Sequence, residues 1–465
     1  MLFEQFYLES LGHASYLLAD ERTGKALVFD PRRDVDAYFE LARRKGFRIS
    51  YVVDSHGHND YLSGIREVQS RQKVQALGYA QANLGYEHRA MKDGEILEFG
   101  DLGVEFMHTP GHTPEHVSLL VHDRAVGAEP ALLLSGGALL VGDLARPDLL
   151  GGPDDAREAA RTFCHTIQNK LLQLPDYLAV FPTHVKGSLC GGNIGSRLST
   201  TVGYERRTNA ILAKVSTASE FVQECIRLDN LPAVPPYWRR MRGQNMAGPK
   251  LLGPLGEPPA LGVDEFRESA AAGSIVLDTR SPEAFASAHI PGALNVGLGP
   301  SFSTWAGTVL PPDVPVLLVL DRQDDLWEAI WQLLRIGYQL PAGWLADGMY
   351  AWRTSGEQLE SLDTVNVHRL RELVGDRQVN VLDVRQPAEW AEGHVPGAHF
   401  ITGAELPSRL DDVPSGAPTA VICGSGYRSS VAASLIKSKG GSPIQVFGGM
   451  MAWNASRYPT ESTGG

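Results

Sequence analysis

The sequence predicts an α/β protein of several domains, and three observations carry that reading. Residues 1–230 alternate short apolar runs with helical stretches, a segment punctuated by proline and glycine follows, and the remainder contains an internal repeat. At 465 residues the chain exceeds a single hydrophobic core, so about three domains are expected. With 43% hydrophobic and 21% charged residues the composition is ordinary for a soluble protein. A net charge of −12 without a basic stripe argues against a nucleic-acid partner. No apolar run approaches the roughly 18–20 residues that span a bilayer, so no membrane partner is expected. The start, MLFEQFYLES, lacks the basic and apolar regions of a signal peptide. Four scattered cysteines (Cys164, Cys190, Cys225, Cys423) do not resemble a disulfide framework, and a cytoplasmic protein is expected.

In the first 230 residues, Ala26-Leu27-Val28-Phe29 reads as a strand closed by the Asp30-Pro31 turn. Val35 to Arg44 reads as a helix with Asp34 available as its N-cap. Tyr51-Val52-Val53 is a strand leading into Ser55-His56-Gly57-His58-Asn59-Asp60-Tyr61. The apolar runs Leu132-Leu133-Leu134 and Leu139-Leu140-Val141 flank Ser135-Gly136-Gly137, and Leu178-Ala179-Val180-Phe181 delivers Pro182-Thr183-His184. This pattern suits two sheets covered by helices, with loops at one edge holding a site. Residues 231–261 carry seven prolines and many glycines and read as a linker or an ordered arm.

Two histidines two residues apart, just past a strand, project to the same side, and imidazole nitrogens brought together this way suit zinc or iron. The carboxylate of Asp60 can bind a metal or orient a ligand. His108-Thr109-Pro110-Gly111-His112-Thr113-Pro114 places another histidine in a tight turn. Together the two stretches resemble the metallo-β-lactamase fold, an αββα sandwich, in which the first motif and the T-P-G-H histidine meet at one metal.

The repeat has an offset of 105 residues. It pairs Asp278-Thr279-Arg280 with Asp383-Val384-Arg385, Phe285 with Trp390, His289 with His394, and Pro291-Gly292-Ala293 with Pro396-Gly397-Ala398. The two units, 262–357 and 362–460, resemble rhodanese-like α/β domains with parallel sheets. In the second unit the strand Ala420-Val421-Ile422 runs into Cys423-Gly424-Ser425-Gly426-Tyr427-Arg428, with a helix beginning near Ser429. A cysteine cradled before a helix N-terminus faces backbone N–H groups, and the Arg428 charge adds to the field that favours its thiolate. The likeness to a rhodanese active loop implies sulfur transfer with Cys423 as acceptor. The first unit has no cysteine here; Asp321 stands in its place, which predicts a catalytically silent domain.

A metallo-β-lactamase domain followed by rhodanese units resembles the persulfide dioxygenase–rhodanese fusions. Thr109–His116, Ala145–Leu150 and Ser199–Arg207 all resemble stretches of that branch. The resemblance implies a mononuclear Fe(II) site acting on glutathione-type persulfides, with thiols and thiosulfate as further small-molecule partners, and self-association of the chain. It places His56, His58 and His112 at the metal. Tyr61 stands where relatives carry a histidine for a second metal, and Gly137 stands where the ligand aspartate is expected. The three histidines then hold iron or zinc alone, Asp143 or Asp60 swings in, or the domain binds no metal. His184 is expected to support a ligand or face the substrate; Arg146, Arg197 and Lys186 are expected to reach substrate carboxylates. His108 and His116 are expected to be hydrogen-bonded structure. Two rivals stand beside this reading: a zinc thioester hydrolase of the glyoxalase II kind, and a sulfurtransferase whose first domain is non-catalytic.

Overall fold

Alternation of apolar side chains decides the architecture of the first half. Along His13–Ala19, Ala14, Tyr16 and Leu18 face one way while Leu17 and Ala19 face the other. Lys25–Phe29 repeats this with Leu27 and Phe29 opposed to Ala26 and Val28. Residues two apart share a face, so these strands are apolar on both sides and need cover on both. The computed structural model describes residues 1–214, 217–227 and 231–462, and it divides them into two compact units. The first comprises Met1–Leu231 with Trp238–Pro254, and the second Pro232–Tyr237 with the chain from Leu255 onward. The boundary expected at residue 230 lies outside the described residues.

In the first unit one six-stranded sheet runs Leu2–Leu8, His13–Ala19, Lys25–Phe29, Arg48–Val53, Gln75–Tyr79, Arg89–Met91, adjacent in chain order. The other places Thr200–Thr201, Ala179–Pro182, Pro130–Gly136, Val117–Asp123, Leu102–His108 and Glu95–Phe99 side by side. Tyr16, Phe29, Val53 and Leu77 meet Phe99, Phe106, Leu119 and Leu134 in the core between the sheets. Outside the first sheet, Tyr38 and Leu41 of the helix Asp36–Lys45 and Ile65 and Val68 of the helix Ile65–Arg71 pack on Leu17, Val28 and Val52. Outside the second, Phe163 and Ile167 of the helix Pro153–Asn169 cover Leu120, Leu133 and Val180. The result is the expected αββα sandwich.

Parallel pairing brings strand ends together at one edge. Phe29 pairs with Val53, and Gly136 with Pro182, so Asp30, the Ser55–Tyr61 loop, Gly137 and His184 leave the sheets side by side. One local expectation is corrected. Asp34 does not cap the helix, which begins at Asp36 after Val35 in a helical conformation without a side-chain cap; the Asp34 carboxylate lies 3.1 Å from Arg32 instead. The apolar run Leu139-Leu140-Val141 lies outside the strands. It is a buried loop joined by a single bridge from Leu139 to Leu144, because the second sheet continues through Ala179–Pro182.

Part of the segment read as a linker belongs to the first unit: Trp238–Ala247 is a helix whose Asn245 side chain binds the Ser55–Tyr61 loop, described below. Among the described residues no helix is long and apolar enough to cross a membrane.

The second unit holds two five-stranded, all-parallel sheets of matching order. One runs Ala260–Leu261, Gly343–Leu345, Val316–Val319, Ile275–Asp278, Leu294–Asn295; the other runs Asp363–Val365, Pro443–Val446, Thr419–Ile422, Asn380–Asp383, His399–Phe400. The repeated motifs are structural. Arg280 clasps the buried Asp278 carboxylate and donates to the Ala288 carbonyl, as Arg385 clasps Asp383 and donates to Gly393. His289 stacks on Phe285 at 3.9 Å and His394 on Trp390 at 3.3 Å between ring centroids. Val319 and Ile422 occupy equivalent registers, pairing with Asp278 and Asp383. The residue after each strand is therefore Leu320 in one repeat and Cys423 in the other. Leu320, not Asp321, takes the position of the cysteine, and the first repeat lacks a thiol either way.

The two repeats are joined through Asn295. Its Nδ2 donates to the Asp278 and Arg280 carbonyls at 3.0 Å each, and its Oδ1 accepts from Ser430 at 2.7 Å. Asn295→Ala would leave the Arg280 carbonyl and the Ser430 hydroxyl without the partners they have here, while the Asp278 carbonyl keeps the Val296 N–H, and a loss of about 1–3 kcal/mol is expected. Urea unfolding checks this: the midpoint should fall with the slope unchanged, and a shift below about 0.5 kcal/mol would contradict the assignment.

Candidate functional site

The site in the first unit is built around the Asp30 carboxylate. Asp30 ends its strand with a φ of 51°, an uncommon conformation that aspartate tolerates better than most residues. Its carboxylate is fully buried and accepts from the Ser55 hydroxyl at 2.8 Å, from the Thr183 hydroxyl, and from the Ser55 backbone N–H; His58 Nε2 lies 3.1 Å away. Burial pushes this carboxyl up, but His58, Thr183 and Ser55 outweigh burial and hold it below the usual range.

These bonds dictate the tautomers around it. Ser55 gives its proton to Asp30, so His56 Nδ1, 2.8 Å from the same hydroxyl, must be the N–H, and Nε2 keeps its lone pair. His112 Nδ1 lies 2.8 Å from the Arg146 carbonyl and must donate, leaving a buried Nε2 without a hydrogen-bond partner. Burial first, then neighbouring imidazoles, holds His56 far below the histidine range and His112 at about 3, so both rings are neutral. His184 Nε2 faces His56 Nε2 at 3.4 Å, while its Nδ1 lies 3.3 Å from Asp60. Burial opposes an extra proton on His184, but Cys190 and Asp60 beside it more than offset this and raise its pKa well above the usual value. A proton or a metal cation between these rings satisfies the facing nitrogens. One nitrogen of each of His56, His112 and His184 lies within 4.8 Å of the others, a donor set that fits a metal ion.

Gly137 faces this cluster. A Cβ there would lie 2.8 Å from His112 Cδ2, 3.2 Å from His56 Cε1 and 3.3 Å from His184 Cδ2. Its N–H donates to His116 Nε2 at 2.8 Å, and His116 Nδ1 lies 2.8 Å from the Thr109 hydroxyl, so His116 is hydrogen-bonded on both sides. His108 Nε2 likewise engages the Pro114 carbonyl at 2.8 Å.

Several expected site residues lie elsewhere. His58 turns Nε2 onto Asp30 and keeps a buried Nδ1 without a hydrogen-bond partner; it is outside the group formed by His56, His112 and His184 but converges with Asp60 and His184 in a second one. Asp143 accepts from the Leu144 and Asn193 backbone N–H groups at 2.8 and 2.7 Å, and burial raises its pKa. It joins no metal-ligating group among the described residues. Arg146 forms a buried, two-pronged pair with Asp148 and so serves the loop that orients His112. Arg197 lies over the Tyr204 ring at 4.2 Å, and Lys186 is exposed. Tyr61 is buried, its ring 4.5 Å from that of His58 and its hydroxyl 3.4 Å from the Asp30 carbonyl.

Sequence reasoning missed the residues that hold the metal loop in place. Asn245 Nδ2 donates to the His58 and Tyr61 carbonyls at 2.8 Å each, and its Oδ1 accepts the Ser63 N–H at 2.9 Å. Glu115 accepts the Gly57 N–H at 2.9 Å and pairs with Arg242 at 2.6 Å. Their sole local signal was the asparagine within a segment read as linker.

In the second unit, Cys423 is buried at the end of Thr419–Ile422, and its sulfur accepts the Gly426 N–H at 3.2 Å with the Ser429 hydroxyl 3.7 Å away. Met450 and Met451 N–H groups bind the Cys423 and Gly424 carbonyls. Gly449 permits this approach, since a Cβ there would lie 2.3 Å from the Cys423 oxygen. The helix Tyr427–Ser438 begins in the loop, and the Tyr427 hydroxyl donates to the Gly297 carbonyl of the cysteine-free repeat at 2.7 Å. Arg428 is not a free charge: both terminal nitrogens engage Glu389, at 2.6 and 2.8 Å.

Comparison with known proteins agrees with this organisation. The model of the metallo-beta-lactamase superfamily matches residues 10–184, and that of the rhodanese-like domain matches 262–355 and 366–456. The crystal structure of a metallo-beta-lactamase from Staphylococcus aureus subsp. aureus COL is 30% identical, covering 74% of this chain and 98% of its own, with a TM-score of 0.67. The mitochondrial persulfide dioxygenase ETHE1 of Homo sapiens is 29% identical over 178 residues, 37% of this chain and 63% of that protein. A hydroxyacylglutathione hydrolase of Polaromonas sp. is 30% identical over 173 residues, 37% of this chain and 61% of the relative. The chain thus spans less than two thirds of the length of either protein. It belongs to the metallo-β-lactamase superfamily, as a fusion of a metallo-β-lactamase domain with persulfide dioxygenase homologues to tandem rhodanese-like domains.

Proposed function

We propose that this chain is an enzyme of sulfur metabolism, joining a persulfide dioxygenase-like metal domain to a sulfurtransferase that works through Cys423. The observation that carries the reading is the Cys423 cradle, in which a buried sulfur receives a backbone N–H at the start of a helix. Such a setting favours the thiolate and, equally, a persulfide anion. The Cys423 thiolate attacks the outer sulfur of a low-molecular-weight persulfide of the glutathione type. A Cys423–S bond forms, the donor S–S bond breaks, and the donor leaves as its thiolate with the electron pair. Tyr427, tied to Gly297, keeps the loop in place while this occurs.

In the first unit His56, His112 and His184 would hold the metal ion. Iron(II) held there would supply a redox-active centre with open positions for dioxygen and a persulfide. The protein's own contribution is orientation: Asp30 through Ser55 sets His56, the Arg146 carbonyl sets His112, and Asp60 sets His184. His58, Asp60 and His184 also converge, which a two-metal hydrolase would use. Asp60, however, meets His184 on the ring nitrogen opposite the one facing His56, as an orienting partner does.

Elemental mass spectrometry of anaerobically purified protein is expected to find about one iron per chain, with oxygen uptake on addition of glutathione persulfide. His184→Ala should lower the metal content at least about tenfold; full retention would sink the three-histidine assignment, and zinc without oxygen uptake would favour hydrolysis.

Gly137→Ala should also lower the metal content, because its methyl group must push the His112 ring aside, at about 1–3 kcal/mol in thermal or urea stability. Unchanged metal content and stability would show that the rings do not converge at this glycine.

Cys423→Ser should reduce sulfurtransfer about a thousandfold or more while leaving metal content unchanged. Persistence of the transfer, measured as thiocyanate formed from cyanide, would refute the role of Cys423.

A further inference from the structure

The ion pair beside Cys423 has no counterpart in the cysteine-free repeat. At the offset of 105 residues the position of Glu389 is occupied by Ala284, and the helix Pro282–Ser287 is capped there by the Ser281 hydroxyl. In the thiol-bearing repeat Glu389 closes a capping box with Gln386, accepting its N–H at 3.0 Å. Capping accounts for that bond and leaves unexplained why both carboxylate oxygens also reach the loop arginine, Oε2 to Nη1 at 2.6 Å and Oε1 to Nη2 at 2.8 Å. The pair lies directly over the loop. A Cβ on Gly424, the residue after the cysteine, would sit 2.9 Å from Arg428 Nη2 and 3.7 Å from Glu389 Oε1. The other guanidinium of this region, Arg385, is held by Asp383 and the Gly393 carbonyl.

A guanidinium whose two prongs are free matches the oxygens of a tetrahedral oxyanion. Here the prongs are taken and the charge is offset, so an incoming dianion must displace a carboxylate already in place. An organic persulfide is under no such demand, because its leaving group is a thiolate on carbon and needs no oxyanion clamp. We propose that Glu389 is a specificity-determining residue, which disfavours dianionic sulfur donors such as thiosulfate and leaves the Cys423 site to organic persulfides. This rests on the reading of Cys423 as the sulfur acceptor and names its donor class. The two reactions balance alike. With thiosulfate, the Cys423 thiolate bonds the outer sulfur and sulfite leaves with the electron pair of the broken S–S bond. With a persulfide, the same bond forms and a thiolate leaves.

The test compares the full-length protein with Glu389→Gln, a change that keeps an acceptor for the Gln386 N–H. Gain of one sulfur atom at Cys423 is timed by mass spectrometry under anaerobic conditions, with thiosulfate and with cysteine persulfide as donors. Glu389→Gln is expected to raise the rate constant for thiosulfate about fivefold or more, as removal of one partly exposed ionic competitor implies. The rate with cysteine persulfide should stay within about twofold, which also reports that the variant is folded. An unchanged thiosulfate rate, or a parallel change with both donors, would overturn the proposal and reduce Glu389 to a structural residue. A wild-type protein that gains no sulfur from either donor would instead overturn the acceptor role of Cys423, and the proposal with it.

Discussion

The first unit depends on one buried carboxylate. Asp30 has no solvent to stabilise its charge, and an isolated carboxylate in that position would simply take up a proton. It stays ionised because the Ser55 backbone and hydroxyl, the Thr183 hydroxyl and His58 all converge on it. Those partners follow two strand ends, Val53 and Pro182, and Asp30 itself follows a third. The carboxylate therefore ties together the loops that carry His56, His58 and His184, and it sets which nitrogen of His56 is left to bind. Losing it would leave several buried donors without an acceptor and undo the tautomer of His56 as well.

The second unit uses a related device for another end. In each repeat an aspartate at a strand terminus is clasped by the arginine two residues on, whose Nη2 also donates to a carbonyl eight residues further along. The repeated D-x-R motif is thus a corner brace, equally present with and without a cysteine. Asn295 extends the brace of the silent repeat to Ser430, one turn into the helix that follows the Cys423 loop. Together with Tyr427 on Gly297, it makes the thiol-free repeat part of the support of the reactive loop.

Much of this was legible in the sequence, and the limits have a physical pattern. His56, His112 and Cys423 stand out in the sequence because each sits in a short motif near a strand end, where local spacing dictates side-chain direction. The repeat was found because its braces recur at one offset. What escaped were partners fixed only by tertiary contact. Asp30 read as a turn residue, since nothing local says that Thr183 will meet its carboxylate from across 153 residues. Asn245 lay within an apparent linker. Asp34 looked like a cap, yet a nearby arginine competes for the same carboxylate. That His184 would face His56 was hidden for the same reason, because the two lie 128 residues apart. Glu389 was invisible as well, because its partner Arg428 lies on a different element 39 residues away.

Charge accounting links the two candidate sites. Three neutral imidazoles around a divalent cation would leave its full charge uncompensated at the position where Gly137 offers no carboxylate. The compensation lies further out, with Asp60 directly behind His184 and Asp30 behind His56 through the Ser55 hydroxyl. Placed there, the carboxylates increase ligand basicity and hold the rings without occupying a coordination position. At Cys423 the arrangement is reversed, with a carboxylate brought into contact with the loop's arginine. There the helix N-terminus and the Gly426 N–H remain as positive partners of the sulfur while the guanidinium is neutralised. Dipoles hold a singly charged thiolate or persulfide well and attract a dianion less strongly than a free guanidinium would. Both sites thus follow from where the carboxylates lie: drawn back from the imidazoles in the first unit, and moved up against the arginine in the second.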